Sequence, residues 1–140
     1  MIGGITIKSY NNDEITVHFD SERCIHATEC IRGLPQVFDI NKRPWINVDG
    51  ASKDEITEVI MRCPSGALTF TRKDGFEEQY PITEIRTGPD GEIYVKGNIV
   101  LTHQGKVMHL NRAALKPQGE QLFYKESLAK RKDKTAYYKA

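Results

Sequence analysis

Three cysteines constrain this chain more than any other feature. Cys24 and Cys30 close the short segment Cys24-Ile25-His26-Ala27-Thr28-Glu29-Cys30, and Cys63 stands directly before Pro64. They are the only cysteines in 140 residues. A single free thiol packs well as a small hydrophobe. Two thiols six positions apart on a tight loop, with a third ahead of a proline, form a pattern that packing does not call for.

The elements around the thiols follow from local pattern. Ile5-Thr6-Ile7-Lys8 and Ile15-Thr16-Val17-His18-Phe19 alternate apolar with polar residues across Asn11-Asn12-Asp13, which predicts a hairpin. The second strand leads through Asp20-Ser21-Glu22-Arg23 into the cysteine loop. After Cys30, Ile31-Arg32-Gly33-Leu34 reads as a short turn closed by Pro35, and Val37-Phe38 and Trp45-Ile46-Asn47-Val48 read as short strands. Ser52 and Glu55 have capping-box spacing. Ile56, Val59, Ile60 and Cys63 then fall at i, i+3, i+4 and i+7, so the helix that buries the isoleucines turns Cys63 toward the core. Pro64 ends that helix. Gly66 and Ala67 are small enough for close backbone approach, and Ala67–Thr71 leaves as a strand.

A charged, glycine-containing stretch, Arg72–Glu78, marks a boundary and divides the chain into domains at 1–75 and 76–140. The second reads as strand-rich. Ile82–Ile85 precedes the turn Gly88-Pro89-Asp90-Gly91, and Ile93–Val95, Ile99–Leu101 and Val107-Met108 alternate around Gly97 and Gln104-Gly105. From Glu120 onward Leu122, Phe123, Tyr124 and Leu128 carry weak helical character. The fold class expected is α+β, a compact module followed by a small mostly-β domain.

Composition narrows the function classes. With 39% hydrophobic and 28% charged residues the chain reads as soluble and globular, and no apolar run approaches the ~18 residues of a membrane span. The start, Met1-Ile2-Gly3-Gly4, shows no secretory signal. A cytoplasmic location is therefore expected, where few cysteines of odd number bind metal rather than pair as disulfides. The net charge is +1, with a basic excess only at the end, from Lys125 to Lys139. Such a run reads as a solvated helix face or frayed terminus, so nucleic acid is not an expected partner.

The thiols carry the chemistry. Bacterial cluster-binding runs place cysteines at the first, fourth and seventh positions of a loop, with a distant fourth before proline. Cys24, Cys30 and Cys63 hold the first, seventh and distant places, and Ala27 fills the middle one. Three thiolates in that frame suit a cuboidal iron–sulfur cluster with one corner open or held by another group. His26 is a possible fourth ligand. The alternative is a structural or sensing zinc site, with Cys24, Cys30, Cys63 and His26 as a Cys₃His tetrahedron in an interaction module. His18, His103 and His109 read as strand surface residues, and Phe38 and Trp45 as core. No phosphate-binding glycine loop, dinucleotide fingerprint or zinc-protease motif occurs, and no third group orients a Cys24–His26 pair for nucleophilic catalysis. An enzyme is not expected.

From Ile15 to Phe70, the cysteine loop through Pro35, Arg43-Pro44-Trp45-Ile46 and Cys63-Pro64-Ser65-Gly66-Ala67-Leu68 resemble the divergent single-cluster ferredoxin family. The three-cysteine layout is also similar to that of [3Fe–4S] ferredoxins. The resemblance implies a ferredoxin-like fold, one [4Fe–4S] or [3Fe–4S] cluster on Cys24, Cys30 and Cys63, and one-electron transfer with a redox partner protein. Downstream, Gly88-Pro89, Gly91, Ile93–Ile99, Gly105 and Arg112-Ala113-Ala114-Leu115 resemble a CDGSH-type iron–sulfur domain. That family's ligands follow next, but here the chain reads Lys116-Pro117-Gln118-Gly119 with no cysteine after it. This resemblance implies a degenerate, cluster-free relative serving as a docking or dimerisation surface, and a possible homodimer.

Overall fold

The structure, a computed structural model, describes residues 7–25, 27–116 and 121–124. Strand β1 (Ile7–Asn11) pairs antiparallel with β2 (Ile15–Asp20), Tyr10 opposite Val17. The hairpin forms where the sequence predicts it, but β1 runs on to Asn11. The reason is Asn12, whose side-chain oxygen accepts from the backbone N–H of Glu14 (2.8 Å) and Ile15 (3.0 Å) and so supplies the turn by itself. Strand β2 is central, with β3 (Leu68–Arg72) antiparallel on its other side. Alternation along β2 buries Ile15 and Val17 completely, while His18 on the opposite face bonds Ser9 and Thr71 across both neighbours.

Two short helices cover the buried face. The segment after Cys30, expected as a turn, is a short helix α1 (Glu29–Gly33), with Arg32 N–H donating to Thr28 C=O and Leu34 N–H to Cys30 C=O, both at 3.0 Å. Helix α2 (Lys53–Met61) starts at Ser52 with the full reciprocal capping box to Glu55. It buries Ile56, Val59 and Ile60 as the periodicity requires. It stops two residues short of Cys63, whose N–H still reaches Ile60 C=O at 2.9 Å. The two strands expected between the helices reduce to one bridge, Phe38 opposite Ile46. Turns close in on both sides of that bridge, at Leu34–Val37 and Asn47–Gly50, and leave no room for a ladder. The core comprises Ile15, Val17, Leu34, Val37, Phe38, Ile46, Val48, Ile56, Val59, Ile60 and Leu68, with Cys30 and Cys63 packed against it.

A second antiparallel sheet follows, β4 (Glu84–Thr87), β5 (Ile93–His103) and β6 (Lys106–Leu115), with β5 in the middle. The three short runs expected here merge into two long strands. The register shifts between Lys96 and Ile99, at Gly97. A Cβ at Gly97 would strike Thr83, so only glycine permits this bulge. Gln104 and Gly105, both at positive φ, make the two-residue hairpin to β6. Residues 121–124, expected as helical, are extended instead. Phe123 bridges Leu115, Lys116 N–H donates to Leu122 C=O, and Tyr124 N–H donates to Ala114 C=O. A long-range partner strand has overridden a weak local preference. The fold is mixed and mostly β, two small three-stranded sheets with short helices.

Candidate metal centre

Each cysteine reaches the site on a different element. Strand β2 ends at Asp20, whose carbonyl accepts from Arg23 N–H and whose carboxylate accepts from Glu22 N–H, and this turn aims the chain at Cys24. The loop then passes through Thr28 at φ 60°, ψ 15°, a left-handed conformation unusual for a β-branched residue. That bend sets the direction of α1, which carries Cys30. Helix α2 brings Cys63, and the Cys63–Ala67 turn is tied back to β2 by Asp20 N–H donating to Ala67 C=O at 2.8 Å.

The three thiols line one cavity of about 910 Å³. Its walls also include Phe19, Ile25, Ala27, Thr28, Trp45, Pro64 and Ser65, a mostly apolar surround. Trp45 meets Phe19 edge to face with ring centroids 5.0 Å apart, and leans on Phe38 in the core. Trp45 therefore joins the core to the cavity wall instead of lying wholly inside. None of the cysteines is in a disulfide, and each is half-buried. Burial, joined by the nearby Cys63 and Cys24 sulfurs, pushes the Cys30 thiol from 9.0 up to about 12. Among the described residues, no three His, Cys, Asp or Glu side chains are grouped so as to hold one metal ion. His26 lies outside the described residues, as does the basic stretch from Lys125 to Lys139.

A family model described as "Divergent 4Fe-4S mono-cluster" matches residues 10–73, the segment that carries all three thiols. Over those residues the chain belongs to the divergent 4Fe-4S mono-cluster family. The description points to iron–sulfur cluster binding. Among curated proteins, the "Uncharacterized protein YjdI" of Escherichia coli strain K12 is 35% identical over 66 residues, 47% of this chain and 87% of that protein. The YjdI of Escherichia coli O157:H7 matches to the same extent. No solved structure matches the chain. The family match ends before β4, so the second sheet lies beyond it.

The residues present fit such a group. Thiolates are the donors that iron–sulfur clusters take, and the apolar walls limit water. Ser65, almost wholly buried, places its hydroxyl 3.6 Å from the Cys63 sulfur and accepts from Ala67 N–H. Gly66, at φ 75°, lies where a Cβ would collide with the Arg112 carbonyl and the Arg23 guanidinium. Glycine is needed here both for the backbone conformation and for the close approach.

Two arginines, neither foreseen as site residues, stand behind the Cys63 turn. Arg23 donates through Nη2 to Ser65 C=O at 2.9 Å and to Arg112 C=O at 2.5 Å. Phe123 covers the same guanidinium, its ring centroid 4.7 Å away. Burial draws the Arg23 guanidinium below its usual range; Asp20 opposes that shift, Arg112 adds to it, and Cys63 opposes it. Arg112, from β6 of the second sheet, donates through Nη1 to Ile60 C=O (2.8 Å) and Cys63 C=O (2.6 Å), and through Nη2 to Leu68 C=O (2.8 Å). Its ion pair with Glu78 is buried on both sides, Nε to Oε2 at 2.6 Å and Nη2 to Oε1 at 3.1 Å. For Arg23 the only sequence signal was its position directly before Cys24. Arg112 stood out only as part of the CDGSH-like stretch, and nothing local tied it to Cys63, 49 residues earlier.

Proposed function

We propose that this protein holds one iron–sulfur cluster on Cys24, Cys30 and Cys63 and passes single electrons to a protein partner. The observation that carries the reading is the convergence of all three thiols, from three elements, on one largely apolar cavity. When bound, the cluster supplies a one-electron couple. The chain holds it by three thiolates, keeps water back with Phe19, Ile25 and Trp45, and offers the Ser65 hydroxyl as a hydrogen-bond donor to the Cys63 sulfur. Ala27 on the cavity wall has no donor for a fourth corner, so both [3Fe–4S] and [4Fe–4S] remain compatible with the thiol set.

On this reading the protein is an electron carrier of the reducing cytoplasm, not an enzyme. No helix among the described residues is long and apolar enough to cross a membrane. The ferredoxin-like character belongs to residues 1–75. Residues 76–140 derive from a CDGSH-type domain that has lost its ligands and act as a docking or self-association surface. Exposed Ile82, Ile85, Val100 and Val107 on that part support a contact role.

The test is EPR on anaerobically prepared protein before and after dithionite, with iron and sulfide counted on the same sample. A signal only when oxidised, with three irons per chain, identifies [3Fe–4S]. A signal only when reduced, with four, identifies [4Fe–4S]. Zinc in place of iron and sulfide overturns the proposal.

A further inference from the structure

We infer that Arg112, acting with Arg23, raises the reduction potential of the cluster, so that the second sheet serves as an electrostatic arm of the first. The inference rests on the cluster-binding reading above. Two guanidinium groups are buried directly behind the turn that carries Cys63, Arg23 at 8% and Arg112 at 2% exposure. Arg112 touches the carbonyl of the cysteine itself, and Arg23 lies within Coulombic range of the Cys63 sulfur. Against these two positive charges stand Glu78, shared between Arg112 and the Tyr80 hydroxyl, and Asp20, half-buried near Arg23.

A purely structural clamp would not need this charge. Burying a cation is expensive unless it is matched, and a neutral donor could hold the same carbonyls. Among the described residues the Arg23 Nε is buried with no hydrogen-bond partner, so full polar matching is not what the pair achieves. Reduction adds one electron to a group ringed by thiolates. Fixed positive charge in a water-poor surround favours the reduced state, and it does so more strongly there than in bulk water. Arg112 is thus a positioning and tuning residue. It acts through the Cys63 backbone and through space.

The test compares reduction potentials of the wild-type protein, Arg112→Gln, Glu78→Gln and the double variant, with the melting temperature of each metal-free form measured alongside. Arg112→Gln removes positive charge and is expected to weaken one-electron reduction about tenfold, a fall of about 59 mV. Glu78→Gln removes negative charge and is expected to move the potential upward. The double variant is expected to return toward wild type. Both single changes break the same buried ion pair, so both lower the melting temperature. A merely structural role would move the potentials in a common direction or leave them alone, and either result overturns the inference. If Arg112→Gln does not fold, Glu78→Gln decides alone, since an unchanged or lowered potential overturns it. Iron and sulfide counts on the wild type separate this failure from that of the cluster reading. A wild type without both sinks the cluster reading first, while a loaded wild type with unmoved potentials sinks only the tuning.

Discussion

Cys30 carries the strongest single-residue consequence. Its thiol is held protonated by desolvation and by its two sulfur neighbours, with a titration pushed up to about 12. In the metal-free protein, alkylation of Cys30 at pH 8 should be slow and should accelerate steadily with pH, as a peptide-mass time course would report. The same shift has a stability sign. The folded chain holds this proton more tightly than the unfolded chain does. The contribution is therefore complete below pH 9.0 and is lost as pH rises toward about 12. Metal-free Cys30→Ala should lose that alkaline decline in its melting temperature. Thr28 is the second residue to probe. A β-branched side chain at φ 60° stores strain on the order of 1–3 kcal/mol. Thr28→Gly should leave the melting temperature of the metal-free protein unchanged or higher, and a fall of several degrees would contradict the strain argument.

Helix α2 shows what an element can reveal in advance. Its start and buried face were legible because a capping box and a 3.6-residue period are local signals, and Ser52, Ile56 and Ile60 do what the pattern says. Ser52→Ala should destabilise by about 1 kcal/mol and Ile60→Ala by about 2–5 kcal/mol, both read from denaturant unfolding. Helix α1 was not legible, because five residues are too few for periodicity and its first turn is set by the backbone at Thr28. The strands expected at Val37-Phe38 and Trp45–Val48 failed because their apolar residues serve a core through turns and a single bridge. Residues 121–124 failed for a different reason. Their partner is Ala114–Lys116, and no window of local sequence contains that pairing. In the site, the thiols were legible by spacing, while Arg112 was not, since its role depends on where β6 passes.

At the scale of the molecule, the two sheets differ in how they are held. The buried apolar cluster lies entirely between Ile15 and Leu68. Within β4–β6 the buried residues are Gly97 at the bulge and Arg112, Ala113 and Ala114 in β6, where Arg112 reaches the first module. Amide exchange should follow that division. Ala113 and Ala114 should be protected like β2, while the hairpin tip from His103 to Lys106 exchanges quickly. Uniform protection along β6 would show that the sheet is stabilised in some other way.

The hydrogen bond from Arg23 to the Arg112 carbonyl joins residues 89 positions apart, with Phe123 closing over the same guanidinium from still further along. On a ribosome that separation is time. At roughly 5–20 residues per second, Cys24 leaves the tunnel on the order of 4–18 s before Arg112 does. All three thiols are therefore exposed to the cell for several seconds in a chain that has not yet acquired its counter-charge. The finished electrostatic environment of the site exists only once synthesis has passed Arg112 and Phe123.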